Sequence, residues 1–257
     1  MMENKIISID ISADFGFLKK PDINDGIYLT YNMLHKPAFL GILGAIIGLD
    51  GYSEKGKFPE YYLSLKNLKI GIEPLNSENG NYTKTVIQYN NAVGYASQEA
   101  GGNLIIREQV LIKPKFRCYI LIPQDHPNRY SIIKYLEKKQ AKFLPYFGKN
   151  DFSLWWDNFQ MYHFKLFPFN RDYKICTIFM KSDQILKNFV QRSGFGRFGG
   201  SQEGDFMCFE ELPVDFDERL VQYNKHRFVF TNFIFSSELK IDNLYQLEDK
   251  DELVQLF

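Results

Sequence analysis

One stretch, residues 28–52, limits most strongly how this chain can fold, because it combines a long apolar run with regularly spaced glycines. Pro37 suits the first position of a helix, and the apolar residues 38–49 follow it. Three glycines would lie on one face of that helix: Gly41, Gly44 and Gly48. Each glycine costs about 1 kcal/mol relative to alanine. We therefore expect a neighbouring element to approach this face closely.

The start of the same helix favours an anion, because its free N–H groups and the helix dipole attract negative charge such as a phosphate. His35 and Lys36 lie immediately before the first apolar turn. One interpretation of the stretch is tight packing of a helix against a sheet, and the other is an anion site at the helix tip. Both stay open, since one face can pack while the tip binds.

Composition excludes several classes of protein. The 31 basic and 31 acidic side chains give a formal net charge of zero, so any nucleic-acid site must be a local patch. No apolar run reaches the roughly 18 residues of a membrane span, and the first residues lack a signal-peptide pattern. The three cysteines form no CxxC motif and favour a reduced, cytoplasmic protein without a disulfide or zinc framework.

Alternating apolar residues predict strands at 5–11 and 61–72, on either side of the helix. The chain thus opens as β–loop–α–β, the beginning of a ferredoxin-like unit. Residues 73–103 interrupt this pattern with Asn, Gly and scattered Tyr, and the interruption exceeds the roughly 12–15 residues of an ordinary connection. We interpret it as a projecting hairpin with a short strand at 83–89, and a plain mobile loop stays open as the alternative.

Residues 104–122 predict two strands joined near Pro114. Three cations alternate there and should share one face, with Arg107 nearby: Lys113, Lys115 and Arg117. Such a stripe is either a solvated face or a track for backbone phosphates.

A second helix is predicted at about 128–141. Its expected buried row is Tyr130, Ile133 and Leu136. Its outer side is basic through Lys134, Lys138, Lys139 and Lys142. A glycine-bearing loop follows at 144–155, then mostly short strands, and the acidic tail at 242–252 is expected to be exposed.

Familiar catalytic motifs are missing. Residues 194–199 match GxGxxG, but a polar segment follows where a dinucleotide site needs an apolar helix, so we exclude that cofactor. Because the loop carries Arg192 and Arg197, contact with a phosphate or a partner protein stays open for it. No P-loop, HExxH or GxSxG motif occurs, so we predict neither a metal ion nor a cofactor.

Four ordered stretches within residues 5–155 form a combined pattern. They are Lys19-Lys20-Pro21, Thr30-Tyr31 with Pro37 and the GILGAIIG helix at 41–48, Arg107–Leu111 leading to Pro114-Lys115, and Tyr146–Phe152. In this order they resemble the Cas-five family of CRISPR-associated proteins, the RAMP-type subunit of the type I Cascade complex, and most of all its type I-B members. The final 100 residues match that family only loosely.

The resemblance implies an α+β fold. The implied parts are a ferredoxin-like (RRM-like, RAMP) palm over residues 1–155, a thumb hairpin inserted at about 73–103, and a C-terminal mostly-β extension over 156–257. The implied function is a non-catalytic RNA-binding subunit that caps and holds the 5′ handle of the CRISPR RNA (crRNA). The implied partners are a backbone subunit of the Cas-seven family, the large Cascade subunit and, through the complex, target DNA.

The candidate RNA-binding residues follow from the resemblance together with the basic and glycine patterns. They are Lys19, Lys20, Tyr31, His35, Lys36, Arg107, Lys113, Lys115, Arg117, Tyr146, Gly148, Lys149 and Asn150.

The alternative function is a metal-independent endoribonuclease that processes precursor crRNA, as in type I-C members. Tyr31, His35 and Lys36 could then supply an acid and a base. Type I-C members also have a lysine–histidine pair on a central strand, whereas Phe116 follows Lys115 here. We therefore assign no catalytic residue.

Overall fold

A four-stranded antiparallel sheet forms the centre of the part that the computed structural model describes, namely residues 4–22, 26–91, 104–182 and 205–257. Its helices are α1 (Lys36–Ile47), α2 (Glu60–Leu65) and α3 (Arg129–Glu137). The strands are β1 (Lys5–Ala13), β2 (Phe15–Gly16), β3 (Lys69–Leu75), β4 (Lys84–Asn91), β5 (Leu104–Ile112), β6 (Lys115–Ile122), β7 (Leu154–Tyr162), β8 (Phe164–Leu166), β9 (Phe179–Met180), β10 (Met207–Asp217), β11 (Gln222–Thr231), β12 (Leu244–Leu247) and β13 (Glu252–Gln255). Antiparallel sheets with few helices make this an α+β protein.

The central sheet has the strand order β3-β6-β1-β7, and each neighbouring pair is antiparallel. The predicted alternation in β1 is confirmed. Ile7, Ile9 and Ile11 are fully buried in the core that the helices cover, whereas Asp10 belongs to the opposite face. The chain passes from β1 through α1 and α2 to β3, and from β6 through α3 to β7. Both connections therefore place helices on the same apolar face.

The predicted glycine-rich helix is confirmed as α1. His35 caps its start, and Gly48 ends it in the left-handed conformation with φ 83°. The glycine face packs closely as expected, but against α2 and not against a sheet. The atoms nearest to Gly41 and Gly44 belong to Tyr61, and a Cβ at Gly44 would overlap the Cβ of Tyr61. Glycine at this position permits the close approach of two helices.

Two predicted elements differ from the structure. The alternation at 61–72 predicts one strand, but its first part is α2, and β3 begins only at Lys69. A helix of six residues is too short for its spacing to stand out against an alternating run. The acidic tail at 242–252, expected to be exposed, contains β12 with the buried residue Leu244. Its apolar side chains pack inward, four of its acidic side chains are exposed (Asp242, Glu248, Asp249 and Asp251), and Glu252 is half-buried.

The second predicted helix is confirmed as α3, but it ends at Glu137. Its buried side chains are Ile132 and Leu136, which are spaced by one helical turn. Tyr130, predicted to be buried, is 74% exposed. The buried face is thus rotated away from the predicted one, and a large aromatic ring is left at the surface.

β4 and β5 form an antiparallel hairpin, which β2 extends into a three-stranded sheet. This confirms the predicted strands near 83–89 and before Pro114. Residues 92–103 of the predicted insertion lie outside the described residues. β3 extends to Leu75, and the buried Tyr82 donates hydrogen bonds to the main-chain oxygens of Leu75 and Lys115. The first part of the predicted insertion therefore belongs to the core.

The C-terminal strands form two further three-stranded sheets, β10-β11-β9 and β13-β12-β8. β7, a strand of the central sheet, runs through the predicted boundary between residues 155 and 156. On the face opposite to the helices, Tyr119 of β6 and Tyr245 of β12 belong to one buried cluster. Distant segments also cover the outer edge of β3, since Phe257 exchanges main-chain hydrogen bonds with Ile70 (3.0 and 2.9 Å).

The glycine loop at 194–199 lies outside the described residues. None of the helices in the described ranges is both long enough and apolar enough to cross a membrane. Within the same ranges, no group of three or more His, Cys, Asp or Glu side chains is arranged to hold a metal ion.

Candidate functional site

A cavity of about 530 Å³ opens between α1 and segments that are far apart in the sequence. The loop at 17–19 forms one wall, the loop at 143–148 another, and the β10–β11 hairpin contributes Phe216 and Tyr223. The residues of α1 that face the cavity are His35 at its cap, Pro37, Ala38, Gly41, Ile42 and Ala45. The cavity therefore brings Lys19, Tyr146 and Gly148 together with the glycine-rich helix.

Tyrosine rings dominate the lining. Tyr52, Tyr61, Tyr146 and Tyr223 all line the cavity. Burial raises the pKa of Tyr223 to about 12 and raises the pKa of Tyr61 further. Both hydroxyls therefore stay protonated at neutral pH, so the cavity offers flat apolar rings with neutral hydrogen-bonding groups at their ends.

His35 closes the start of α1. Its Nδ1 accepts a hydrogen bond from the main-chain N–H of Ala38 (3.3 Å), so Nε2 carries the proton of the ring. Burial lowers the pKa of this imidazole to about 3, so the ring is neutral. The histidine thus already satisfies one of the N–H groups that the sequence offers to a phosphate.

Lys36 and Tyr31 are also buried. The Lys36 ammonium donates a hydrogen bond to the main-chain oxygen of Phe257 (3.1 Å), and burial lowers its pKa to about 8. The Tyr31 ring lies edge-on to His35, with centroids 5.1 Å apart, and burial raises the pKa of its hydroxyl far above the ordinary value. Among the described residues this hydroxyl finds no hydrogen-bond partner.

Lys19 and Lys20 lie side by side but differ in their surroundings. The exposed Lys19 ammonium lies 3.8 Å from the centre of the Tyr28 ring. Lys20 forms an ion pair with Glu210 of β10 (3.3 Å). The same carboxylate accepts a hydrogen bond from the main-chain N–H of Met33 (2.8 Å), which anchors the approach to α1 on β10. Lys19 is therefore the more accessible cation at the cavity.

Gly148 lets the loop at 143–148 reach the cavity. Its φ is +81°, and a Cβ there would collide with the main-chain oxygen of Phe17. The main-chain N–H of Phe17 donates to the oxygen of Phe147 (3.0 Å), so the two loops are held together. Tyr146 stands at the mouth of the cavity, and Asn150 is exposed just beyond the loop.

Lys149 connects this loop to the β4–β5 hairpin. Its ammonium lies 2.8 Å from the buried carboxylate of Glu108 and 2.9 Å from the hydroxyl of Tyr89. Burial lowers its pKa, but the bonds to Glu108 and Tyr89 outweigh this effect, so the pKa is raised overall. The charge of Lys149 is thus already paired within the protein.

The predicted basic stripe does not lie at the cavity. Lys115 and Arg117 alternate with the buried Phe116, so they project from the face of β6 that is opposite to the helices. Arg117 binds both carboxylate oxygens of Asp10 (2.6 and 3.0 Å). Burial raises the pKa of Asp10, but hydrogen bonds from Arg117 and Asn158 outweigh it and hold the pKa below the usual range.

The other two cations of the predicted stripe lie at its margins. Lys113 is exposed in the turn between β5 and β6, with φ 48°. Arg107, on β5, bonds to Gln88 across the hairpin (2.9 Å). An RNA-binding role for the stripe remains a prediction.

Sequence reasoning missed several residues of the cavity, namely Tyr52, Tyr61, Phe143, Phe216 and Tyr223. Tyr52 and Tyr61 flank the loop after α1, so their position beside the helix carried a weak signal. Tyr223 and Phe216 lie on strands near the other end of the chain, and no sequence pattern connects them to α1.

The solved structures that are similar to this chain include several CRISPR-associated proteins. No protein-family model and no curated protein matches it. A CRISPR protein from Archaeoglobus fulgidus is similar at a TM-score of 0.49 and 13% identity, over 97% of this chain and 98% of that chain. A chain of the Type III-B Cmr-beta structure bound to cognate target RNA gives 0.48 and 12%, over 97% and 98%. A chain of a CRISPR RNA-guided surveillance complex gives 0.46 and 10%, over 90% of each.

At TM-scores below 0.5 and such low identities, these similarities decide neither the family nor the function of this chain.

Proposed function

We propose that this chain is a non-catalytic RNA-binding subunit of a type I CRISPR interference complex, most like type I-B members, and that it holds the 5′ handle of the crRNA. One observation carries the proposal. Three of the four stretches behind the sequence resemblance meet at one cavity: the loop at Lys19, the helix that begins at Pro37, and the loop with Tyr146 and Gly148. These segments are far apart in the sequence, so their convergence at one cavity supports a common role in binding.

The chemistry of the cavity suits an unstacked base of a single strand. Sequence-specific RNA recognition commonly takes a splayed base onto aromatic rings and reads its edge with hydrogen bonds. Tyr52, Tyr61, Tyr146 and Tyr223 supply rings and neutral hydroxyls. Lys19 supplies a positive charge at the wall, where the backbone phosphate of that nucleotide would pass.

We further propose that the central sheet is a ferredoxin-like palm and that the β4–β5 hairpin belongs to its thumb. The antiparallel order β3-β6-β1-β7, with one helical connection in each half, supports this assignment because it follows the βαββαβ pattern. In the complex, the thumb and the remaining surface would contact a backbone subunit of the Cas-seven family and the large subunit. Target DNA would be reached only through the complex.

The environment of the candidate nuclease residues favours binding over catalysis. Tyr31, His35 and Lys36 are all buried. His35 uses Nδ1 to cap α1, and the Lys36 ammonium is bound to Phe257. A general acid or base must come within hydrogen-bond distance of the ribose. Tyr31 and Lys36 do not line the cavity, and His35, which does, already uses Nδ1 for the cap of α1.

The proposal is tested with pure protein and two labelled RNAs, one repeat-derived and one with the same composition in scrambled order. We expect tighter binding of the repeat-derived RNA and no cleavage, with or without EDTA. Tyr146→Ser should weaken this binding by about 1–3 kcal/mol, the usual contribution of one base–aromatic stack. Phe209→Ser is the matched control, because Phe209 is an exposed ring outside the cavity.

Two results would contradict the proposal. Equal affinity for both RNAs would show that no handle is recognised. Specific cleavage that disappears in Tyr31→Phe would instead establish the endoribonuclease.

A further inference from the structure

The surface beside α3 combines exposed rings with unpaired cations. We call it the α3 surface and define it by Tyr130, Lys134, Lys138, Lys139, Lys142 and Phe143. Tyr130 is 74% exposed and Phe143 is 51% exposed. Apolar rings of this size are usually buried, so two exposed rings at the two ends of a lysine-rich segment indicate a binding surface.

The charge of this surface is strongly positive. Between residues 129 and 144 the only acid is Glu137. In the described part of the chain no ion pair reaches Lys138, Lys139 or Lys142, all of which are exposed. The Lys134 ammonium lies 5.5 Å from the centre of the Tyr130 ring. The lysines therefore lie between an exposed ring at the start of this segment and another at its end.

Helix ends explain only part of this arrangement. α3 ends at Glu137, and the main-chain N–H groups of Lys142 and Phe143 bond to the last carbonyls of α1. Lysines near helix C-termini are favourable because of the helix dipole. The dipole gives no reason, however, for Tyr130 and Phe143 to be exposed beside those lysines.

The α3 surface is continuous with the cavity. Phe143 belongs to both, and Leu144, which lines the cavity, is 70% exposed beside it. The aliphatic part of Lys142 packs against Gly48 at the end of α1. A strand with one base in the cavity would therefore leave it directly across Phe143 and the lysines.

We propose that the α3 surface binds single-stranded RNA, with its lysines on the phosphates and with Tyr130 and Phe143 stacked on bases. A cationic surface with interleaved rings is the general solution for a single strand of any sequence. An acidic protein would satisfy the lysines but not two exposed rings beside them. The inference goes beyond the proposed function, because it concerns affinity for RNA of any sequence and not recognition of a handle.

The test measures binding of the repeat-derived and scrambled RNAs at several salt concentrations. The variant replaces Lys138, Lys139 and Lys142 by Ala. We expect weaker binding of both RNAs, an unchanged ratio between them, and a log–log salt slope that is smaller by about 2, since each lost phosphate contact removes about 0.7. The control removes equal charge elsewhere by replacing Lys165, Lys240 and Lys250 by Ala, and it should leave the slope unchanged.

A second variant tests the rings. Tyr130→Ser with Phe143→Ser should weaken binding of both RNAs at least about fivefold while the salt slope stays unchanged. If the lysine variant binds both RNAs as tightly as the control variant does, the inference is wrong. In that case a partner with an acidic surface becomes the better occupant.

The two proposals fail in different ways. If the wild type prefers the repeat-derived RNA and the lysine variant binds normally, the α3 surface inference is wrong and the proposed function stands. If the wild type shows no preference but the lysine variant is weaker, the proposed function is wrong and the inference stands.

Discussion

Cations that look alike in the sequence have very different surroundings in the fold. Arg117 and Lys149 each lie on a buried carboxylate, Asp10 and Glu108, whereas Lys19 lies exposed over a ring. The paired residues are 107 and 41 positions apart in the chain, so no local pattern could reveal them. The sequence therefore indicates where cations cluster but not which of them are already paired.

This difference leads to a prediction about stability. Arg117→Ala should lower the free energy of unfolding by about 3–5 kcal/mol, because it leaves Asp10 as a buried charge without its guanidinium. Lys115→Ala is the matched control on the same face of β6, and it should change stability by less than about 0.5 kcal/mol. Urea unfolding followed by circular dichroism measures both. Equal effects of the two substitutions would show that the Arg117–Asp10 pair contributes little.

At the scale of elements, strong local signals were predicted well and weak ones were not. Pro37 and the long apolar run identify α1, and the alternation at 5–11 identifies β1. The glycine spacing also predicted a close neighbour, but the sequence could not show that this neighbour is Tyr61 of α2. A six-residue helix gains most of its stability from tertiary packing, so little in its own sequence marks it.

The contact between α1 and α2 leads to a second prediction, which uses two glycines of the same helix. Gly41→Ala should stabilise the protein by up to about 1 kcal/mol, since the nearest atom to a new Cβ is 3.7 Å away and alanine favours the helix. Gly44→Ala should destabilise it by about 1–3 kcal/mol, because the new methyl group overlaps the Cβ of Tyr61.

Thermal unfolding of the two single variants checks the sign of each change. If Gly44→Ala were also stabilising, the two helices could separate at little cost. The close packing would then not be the reason for glycine at position 44.

At the scale of the whole molecule, the resemblance implied the α+β class and local patterns predicted most elements before residue 155, but those patterns did not show how distant strands meet. The order of the central sheet depends on pairing between β1 and β6 and between β1 and β7. The cavity depends on a hairpin that carries Tyr223, far along the chain from α1. Alternation predicts which face of a strand is buried, but it says nothing about the partner that buries it.

The β4–β5 hairpin provides a prediction at this scale. Tyr89 and Ile106 are paired across the two strands, so residues 90–105 can be replaced by the two-residue turn Asn-Gly without a change of register. The melting temperature should stay within a few degrees, because Tyr82 and the pair Lys149–Glu108 remain in place. Binding of the repeat-derived RNA should be weakened only slightly, whereas assembly with a Cas-seven-family subunit should be lost.

Size-exclusion chromatography of the mixed components, with the wild type beside the shortened protein, measures this assembly. Normal assembly of the shortened protein would contradict the thumb assignment. A large fall in melting temperature would instead show that residues 90–105 stabilise the fold itself.

The covered outer edge of β3 has a consequence for how the protein is made. Main-chain groups of Ile70 and Ile72 are bonded by Phe257 and Ile178, which follow much later in the chain. During synthesis β3 emerges early. Its outer edge stays unpaired until the segments that contain Ile178 and Phe257 have left the ribosome. An open edge of this kind is a template for pairing with another chain. A ribosome that stalls before residue 257 would therefore release a product that tends to aggregate, and not merely a shorter protein.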